Sequence, residues 1–269
     1  MTRIAQISDT HLSPGKPYFA PNWAPLAAWV AAQAPDLVIH TGDVTLDGAA
    51  VEEDMRDCAA LLATLPAPVL ALPGNHDVGQ VGHPRQPVTP ERLARWRRHF
   101  GPDRWTRDLP GWRLVGLDSM LLGTGLPEEG EQDSWLEDAL AAAGGRRVAL
   151  FTHVPLFTDD PGETGGYWSV PAAPRRRVLD ALDRHGVALI ATGHLHRSHE
   201  AVLDGRRYVW GPASSFLVGP PYSPPKGGEA RLGAVLYDFD EEGVTVTRAD
   251  VPGLTPFLID DMPEVYAAG

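Results

Sequence analysis

The chain has 269 residues, 43% of them apolar and 22% charged, enough for one large α/β domain or two small ones with an ordinary globular core. Its formal net charge of −12 argues against nucleic acid as a partner, because a phosphate backbone calls for a basic stripe. The single cysteine, Cys58, excludes an intrachain disulfide and a thiolate zinc site.

Arg3–Ser8 reads as a strand that runs into Asp9 and His11. With a strand so close to Met1 no signal peptide is expected, and no run reaches the roughly 18 apolar residues of a membrane span. The cytoplasm is the expected location. Trp23, Leu26, Ala27 and Val30 form one helical face, and Asp36–Thr41 is a second strand, leading into Asp43. Met55, Cys58, Ala59 and Leu62 repeat at helical spacing, which places Cys58 in the core. Val69–Leu72 leads into Asn75 and His76. Thr89-Pro90-Glu91 opens a helix with an N-cap residue and proline at its first position, and Leu93, Trp96 and Phe100 mark its buried side. Trp135, Leu136, Ala139 and Leu140 mark another helix, before Arg147–Thr152 runs into His153. Arg175-Arg176-Arg177, the strongest basic cluster, reads as the solvated first turn of a helix carrying Val178, Leu179 and Leu182. Val187–Thr192 then runs into His194 and His196. Strand–helix alternation of this kind implies βαβ units with right-handed crossovers.

After His196 the pattern changes. Glu200–Leu203 and Arg206–Trp210 flank Asp204-Gly205, a two-residue hairpin signal, and Ala230–Phe239 with Val244–Ala249 form a second hairpin. These antiparallel strands are expected to pack as a second sheet against the first. The tail from Gly253 to Gly269 is apolar enough to dock. No linker divides the chain, so one domain over 1–269 is expected, mixed α/β to about 196 and hairpins with tail beyond.

Five strands thus deliver oxygen or nitrogen donors at their C-terminal ends, where α/β sheets place their sites. Asp9 and His11 lie two apart and point the same way if the strand continues. Gly42, Gly74 and Gly193 stand where the backbone must approach something closely. Asp9, His11, Asp43, Asn75, His153, His194 and His196 are too many for one tetrahedral ion and suit two ions sharing a carboxylate. Such donors fit manganese, iron or zinc without choosing between them. Two divalent ions against Asp9, Asp43 and a hydroxide leave net positive charge, which suits an anionic phosphate. About 3.5–4 Å apart, they would acidify a shared water for in-line attack. His76, beside Asn75, has the chemistry to protonate a departing alkoxide.

Asp9-Thr10-His11, Gly42-Asp43, Gly74-Asn75-His76-Asp77, His153 and Gly193-His194-Leu195-His196 resemble, in order, the five motifs of the calcineurin-like metallophosphoesterase superfamily. That resemblance implies a four-layer αββα sandwich of two packed mixed β-sheets flanked by helices. It implies that Asp9, His11, Asp43 and His196 hold one metal and Asp43, Asn75, His153 and His194 the other, Asp43 bridging. It also implies attack by a metal-bridging hydroxide on phosphorus, with His76 contacting the phosphate.

The stretch Gly42–Gly48 departs from the protein serine/threonine phosphatases. Leu46 stands where their His-orienting aspartate would be, and no arginine follows. Pro73, Asp77 and Gly116-Leu117-Asp118-Ser119 resemble the bacterial class III cyclic-nucleotide phosphodiesterase and glycerophosphodiesterase branch. The expected activity is therefore hydrolysis of a small soluble phosphodiester, cyclic nucleotide or glycerophosphodiester. The alternatives are a phosphomonoesterase or an inactive binding scaffold.

Substrate contacts must come from loops. Asn75, His76, His83, Arg197, Tyr18 and Trp168 are the candidates, and Phe19, Trp23, Tyr167 and Tyr222 either stack on substrate or pack their loops. Asp77 either orients His76 or caps the next turn. His40 reads as a core residue, and His99, His185 and His199 as ordinary surface histidines. A small phosphoester is the expected partner, with homo-oligomerisation left open.

Overall fold

A computed structural model describes residues 1–220 and 227–265, so Tyr222 and the last four residues of the tail lie outside the described residues. The first half alternates β1 (Thr2–Ile7), α1 (Trp23–Gln33), β2 (Leu37–His40), α2 (Glu52–Leu62) and β3 (Val69–Ala71). The short α3 (Asn75–Val78) and α4 (Pro90–Phe100) follow. The hairpin β4 (Trp105–Leu109) and β5 (Trp112–Gly116) comes next, then α5 (Pro127–Ala141), β6 (Arg147–Phe151), α6 (Ala172–His185) and β7 (Leu189–Thr192). The chain ends with β8 (His199–Leu203), β9 (Arg206–Trp210), β10 (Phe216–Leu217), β11 (Ala234–Phe239), β12 (Val244–Ala249) and β13 (Phe257–Leu258). Among the described residues no helix is long and apolar enough to cross a membrane.

Two mixed sheets result, ordered β12-β11-β1-β2-β3 and β4-β5-β6-β7-β9-β8. Side chains alternate across a strand, so each sheet has two apolar faces to cover. Ile4, Ile39, Val235 and Tyr237 of the first sheet meet Trp112, Leu114, Phe151 and Leu189 of the second in the central layer. Their neighbours Ala5, Ile7 and Val38, and Val148, Leu150 and Ile190, pack with the helices, through Leu26, Met55 and Cys58 and through Leu136, Val178 and Leu182. This is the four-layer arrangement expected. One buried polar chain stitches the central layer: Tyr237 Oη donates to Gln6 Oε1 (2.7 Å), and Gln6 Nε2 donates to Thr41 Oγ1 (2.9 Å) and Thr192 O (3.0 Å).

Two expectations need correction. The hairpins after His196 do not make a sheet of their own. β9 pairs in parallel with β7, and β11 pairs antiparallel with β1, so each hairpin caps an open edge that would otherwise expose unpaired backbone. The second sheet instead begins with β4 and β5, a hairpin around Pro110-Gly111 that the sequence reading passed over. Nor is the arginine cluster solvated throughout: Arg175 is buried and donates to Leu156 O (3.3 Å) and Val170 O (3.2 Å). Only Arg176 and Arg177 reach outward, pairing with Asp180 and with Glu129 and Asp133.

The cap of α4 follows expectation, with Thr89 Oγ1 accepting from Arg92 N (3.3 Å) and proline in the first turn. Thr89→Ala should therefore cost about 1 kcal/mol, read as a lowered urea midpoint with unchanged slope.

Candidate metal centre

The C-terminal ends of β1, β2 and β3 face those of β6 and β7 across the central layer, and the loops beyond them carry the donors. Asp9 and His11 do not converge by strand continuation, since β1 ends at Ile7. Both instead take left-handed backbone (φ 52° and 43°), as do Asp43 (50°), His194 (68°) and His196 (51°). Among the described residues seven non-glycine positions have positive φ, and these are five of them. Such conformations cost on the order of 1–3 kcal/mol each and concentrate where a site requires them.

The glycines sit where contact is closest. A Cβ on Gly42 would lie 2.4 Å from His153 Nδ1, one on Gly74 2.2 Å from Asp43 Oδ1, and one on Gly193 2.1 Å from Ser8 Oγ.

Three overlapping groups of donors form, each with its atoms within 4.8 Å of one another: Asp9, His11 and His196; His11, Asp43 and His76; Asp43, His153 and His194. Asp43 Oδ2 lies between the outer two, 3.6 Å from His11 Nε2 and 3.4 Å from His153 Nε2. Asn75 Oδ1 joins at 3.2 Å from His153 Nε2. Asp9, His11, Asp43, Asn75, His153, His194 and His196 are buried, and His76 is partly exposed.

Backbone carbonyls decide which nitrogen each ring turns inward. Nδ1–H of His153 donates to Thr41 O (2.7 Å), that of His196 to Phe216 O (2.8 Å) and that of His76 to Leu46 O (2.8 Å). His194 uses the other nitrogen, donating Nε2–H to Tyr167 O (2.8 Å). The remaining nitrogen of each ring is left for the centre. There His196 Nε2 stands 3.3 Å from His11 Nε2 and 3.4 Å from Asp9 Oδ1. Lone pairs and carboxylate oxygens aimed at one another repel unless positive charge lies between them. The donor set therefore fits cations, and its division into two clusters joined at Asp43 fits a pair.

The titration behaviour agrees. Burial alone would raise the Asp43 carboxyl, but His153, His76 and His11 outweigh it and hold it well below its ordinary range. Burial likewise opposes ionisation of Asp9, and His196 with His153 overcomes it. Burial would depress His153, yet Asp43 and Asp9 lift it to about 9. A metal ion bound at His153 would displace that proton. His194 is pushed down to about 4 by burial and by His153, which leaves it neutral.

Asp77 does not orient His76. Its carboxylate accepts from Gly74 N (2.9 Å), Thr45 N (2.9 Å) and Thr45 Oγ1 (2.7 Å), tying the third motif to the second. The Leu46 carbonyl holds the His76 ring instead. His76 N donates to Asp43 Oδ1 (2.8 Å), fixing that carboxylate from the other side.

The loop candidates divide. Trp168 lies against His194, ring centroids 5.7 Å apart. Tyr18 is half-buried in a 3-10 turn and packs with Phe19 and Phe216, the latter ring 4.2 Å from that of His196. His83 is exposed, its Nδ1 accepting from Gln86 N (2.9 Å) to close a turn, and it joins none of the donor groups. Arg197 donates to Gly228 O (3.1 Å). Phe216 and the four tautomer-setting carbonyls were missed by sequence reasoning. Every residue has a carbonyl, so no residue type marks these.

A family model described as calcineurin-like phosphoesterase matches residues 2–198. Over 155 residues the chain is 31% identical to the serine/threonine-protein phosphatase CPPED1 of Bos taurus, a match covering 55% of this chain and 48% of that protein. The chain thus spans about half the length of that relative. It is 29% identical over 231 residues to the 3',5'-cyclic adenosine monophosphate phosphodiesterase CpdA of Escherichia coli K12, covering 81% and 78% of the two chains. A dimetal phosphatase structure from Danio rerio shares the fold at 17% identity and a TM-score of 0.62, over 92% of this chain and 99% of the other.

Proposed function

We infer the activity from one premise: the chain belongs to the calcineurin-like phosphoesterase family. Our reading is a dinuclear metal-dependent phosphodiesterase of small phosphodiesters, cyclic nucleotide or glycerophosphodiester. The observation that carries it is the pair of donor clusters meeting at Asp43, with the inward nitrogen of His76 beside them. In this reading Asp9, His11, Asp43 and His196 hold one ion, and Asp43, Asn75, His153 and His194 hold the other. A divalent pair, when bound, supplies an acidified water and positive charge for the phosphoryl oxygens.

The chain's own residues do the rest. His76 N holds Asp43 in one orientation, and the Leu46 carbonyl turns the other nitrogen of His76 toward the centre, where it would protonate the leaving alcohol. A diester carries one negative charge where a monoester carries two. The Escherichia coli relative, matched over 81% of this chain, carries a phosphodiesterase name, which supports the singly charged ester. The bovine relative's name supports a second reading, a phosphomonoesterase.

The test is protein loaded with manganese, iron or zinc, assayed on bis- and mono-p-nitrophenyl phosphate, cyclic AMP and glycerophosphocholine, with metal content measured in parallel. Two ions per chain and kcat/KM at least about tenfold higher for a diester are expected. Preference for the monoester would install the second reading, and two bound ions without any turnover would defeat both.

A further inference from the structure

Beside the candidate centre a strap, residues 157–170, is closed from inside the protein. Arg175 of α6 donates to the carbonyls of Leu156 and Val170, one at each end of it. Within the strap Glu163 accepts from Thr158 N (3.1 Å), from Thr158 Oγ1 (3.0 Å) and from Ser169 Oγ, and lies 3.8 Å from the Arg175 guanidinium. Gly165 takes φ 76°, and a Cβ there would meet Val170 O at 2.4 Å. A loop tied so fully presents its side chains in fixed positions.

What it presents is Tyr167. The ring lies 5.2 Å from that of His194 and 4.7 Å from that of Trp168, edge to face with the latter. Its backbone carbonyl accepts from His194 Nε2 (2.8 Å) and from Gln80 Nε2 (3.1 Å). The residue is 50% exposed, so its side chain borders solvent beside His194. A phenolic hydroxyl can donate its proton to a ligand oxygen.

We propose that Tyr167 is a specificity-determining contact for the phosphoester, its hydroxyl donating to a non-bridging phosphoryl oxygen on the His194 side while its ring and Trp168 flank the organic group. The proposal rests on the phosphohydrolase reading and narrows it. A neutral donor strengthens binding of a singly charged phosphoryl group without requiring the second charge of a monoester.

Tyr167→Phe keeps the ring and removes the hydroxyl. Manganese-loaded wild type and variant are compared by metal content, by calorimetric binding of inorganic phosphate, and by kcat and KM on bis-p-nitrophenyl phosphate. Two ions per chain in both, with phosphate binding and kcat/KM each weakened about tenfold in the variant, are expected for one lost hydrogen bond to a charged group. Unchanged phosphate affinity overturns the proposal. So does loss of an ion, which would make Tyr167 a support for the centre rather than a substrate contact. Should wild type hydrolyse no phosphoester, the functional reading fails by itself, and phosphate binding still decides the role of Tyr167.

Discussion

His76→Ala should lower turnover of an alkyl phosphodiester by about 10²–10⁴-fold while two metal ions stay bound. The ring is held by Nδ1–H on the Leu46 carbonyl, so its other nitrogen is the one placed beside His11 and Asp43, with the His11 ring 4.6 Å away. A proton donor matters in proportion to how poorly the alcohol departs unaided. p-Nitrophenolate leaves without a proton, so the loss on bis-p-nitrophenyl phosphate should be clearly smaller than the loss on glycerophosphocholine. Equal losses on both esters would remove the proton-transfer role. Because His76 shares a donor group with His11 and Asp43, the metal count is the second readout. A variant that drops to one ion would make His76 a ligand instead.

Acid should unfold the protein partly through a histidine outside the proposed ligand set. His40 is fully buried in β2, and burial above all brings its pKa from 6.5 down to about 4, with Asp9 and Asp43 opposing and His153 assisting. Thr10 Oγ1 donates to Val44 O (2.9 Å), so it accepts from His40 Nε2 (3.0 Å), and Nδ1 has no partner among the described residues. The fold thus keeps this ring neutral, whereas an unfolded chain protonates it below about pH 6.5. The unfolded state then binds more protons, so stability is intact above pH 6.5 and falls as pH drops toward 4. Full displacement converts to about 3 kcal/mol. His40→Gln retains a donor for Thr10 and cannot titrate. From about pH 7 to pH 4.5 the unfolding free energy read by denaturant should fall about 2–3 kcal/mol further in wild type than in the variant. Parallel losses would show that His40 is not responsible.

Local chemistry was legible wherever one stretch of chain decided the outcome. The Thr89 cap, the Asp204-Gly205 turn and the apolar faces of α1, α2, α5 and α6 each depend on neighbours a few residues away. The seven donors were legible because ionisable side chains at strand ends have few other reasons to be there. Which edge a hairpin covers was not, since β9 and β11 pair with β7 and β1, partners chosen by which strand lies open in space. His83 and Tyr18 were plausible by position along the chain and were set elsewhere by a turn and a packed cluster.

The sequence by itself determined the kind of chemistry: which atoms can bind cations, in what number, and in an order that suits a phosphoester. Only the tertiary structure decided how those atoms are aimed. The carbonyls of Thr41, Leu46, Tyr167 and Phe216 select the inward nitrogen of four histidines, and Arg175 closes the strap that brings Tyr167 to His194. The physical reason is that a carbonyl is common to all residues and acts by where the fold puts it, whereas a carboxylate or imidazole announces itself by type.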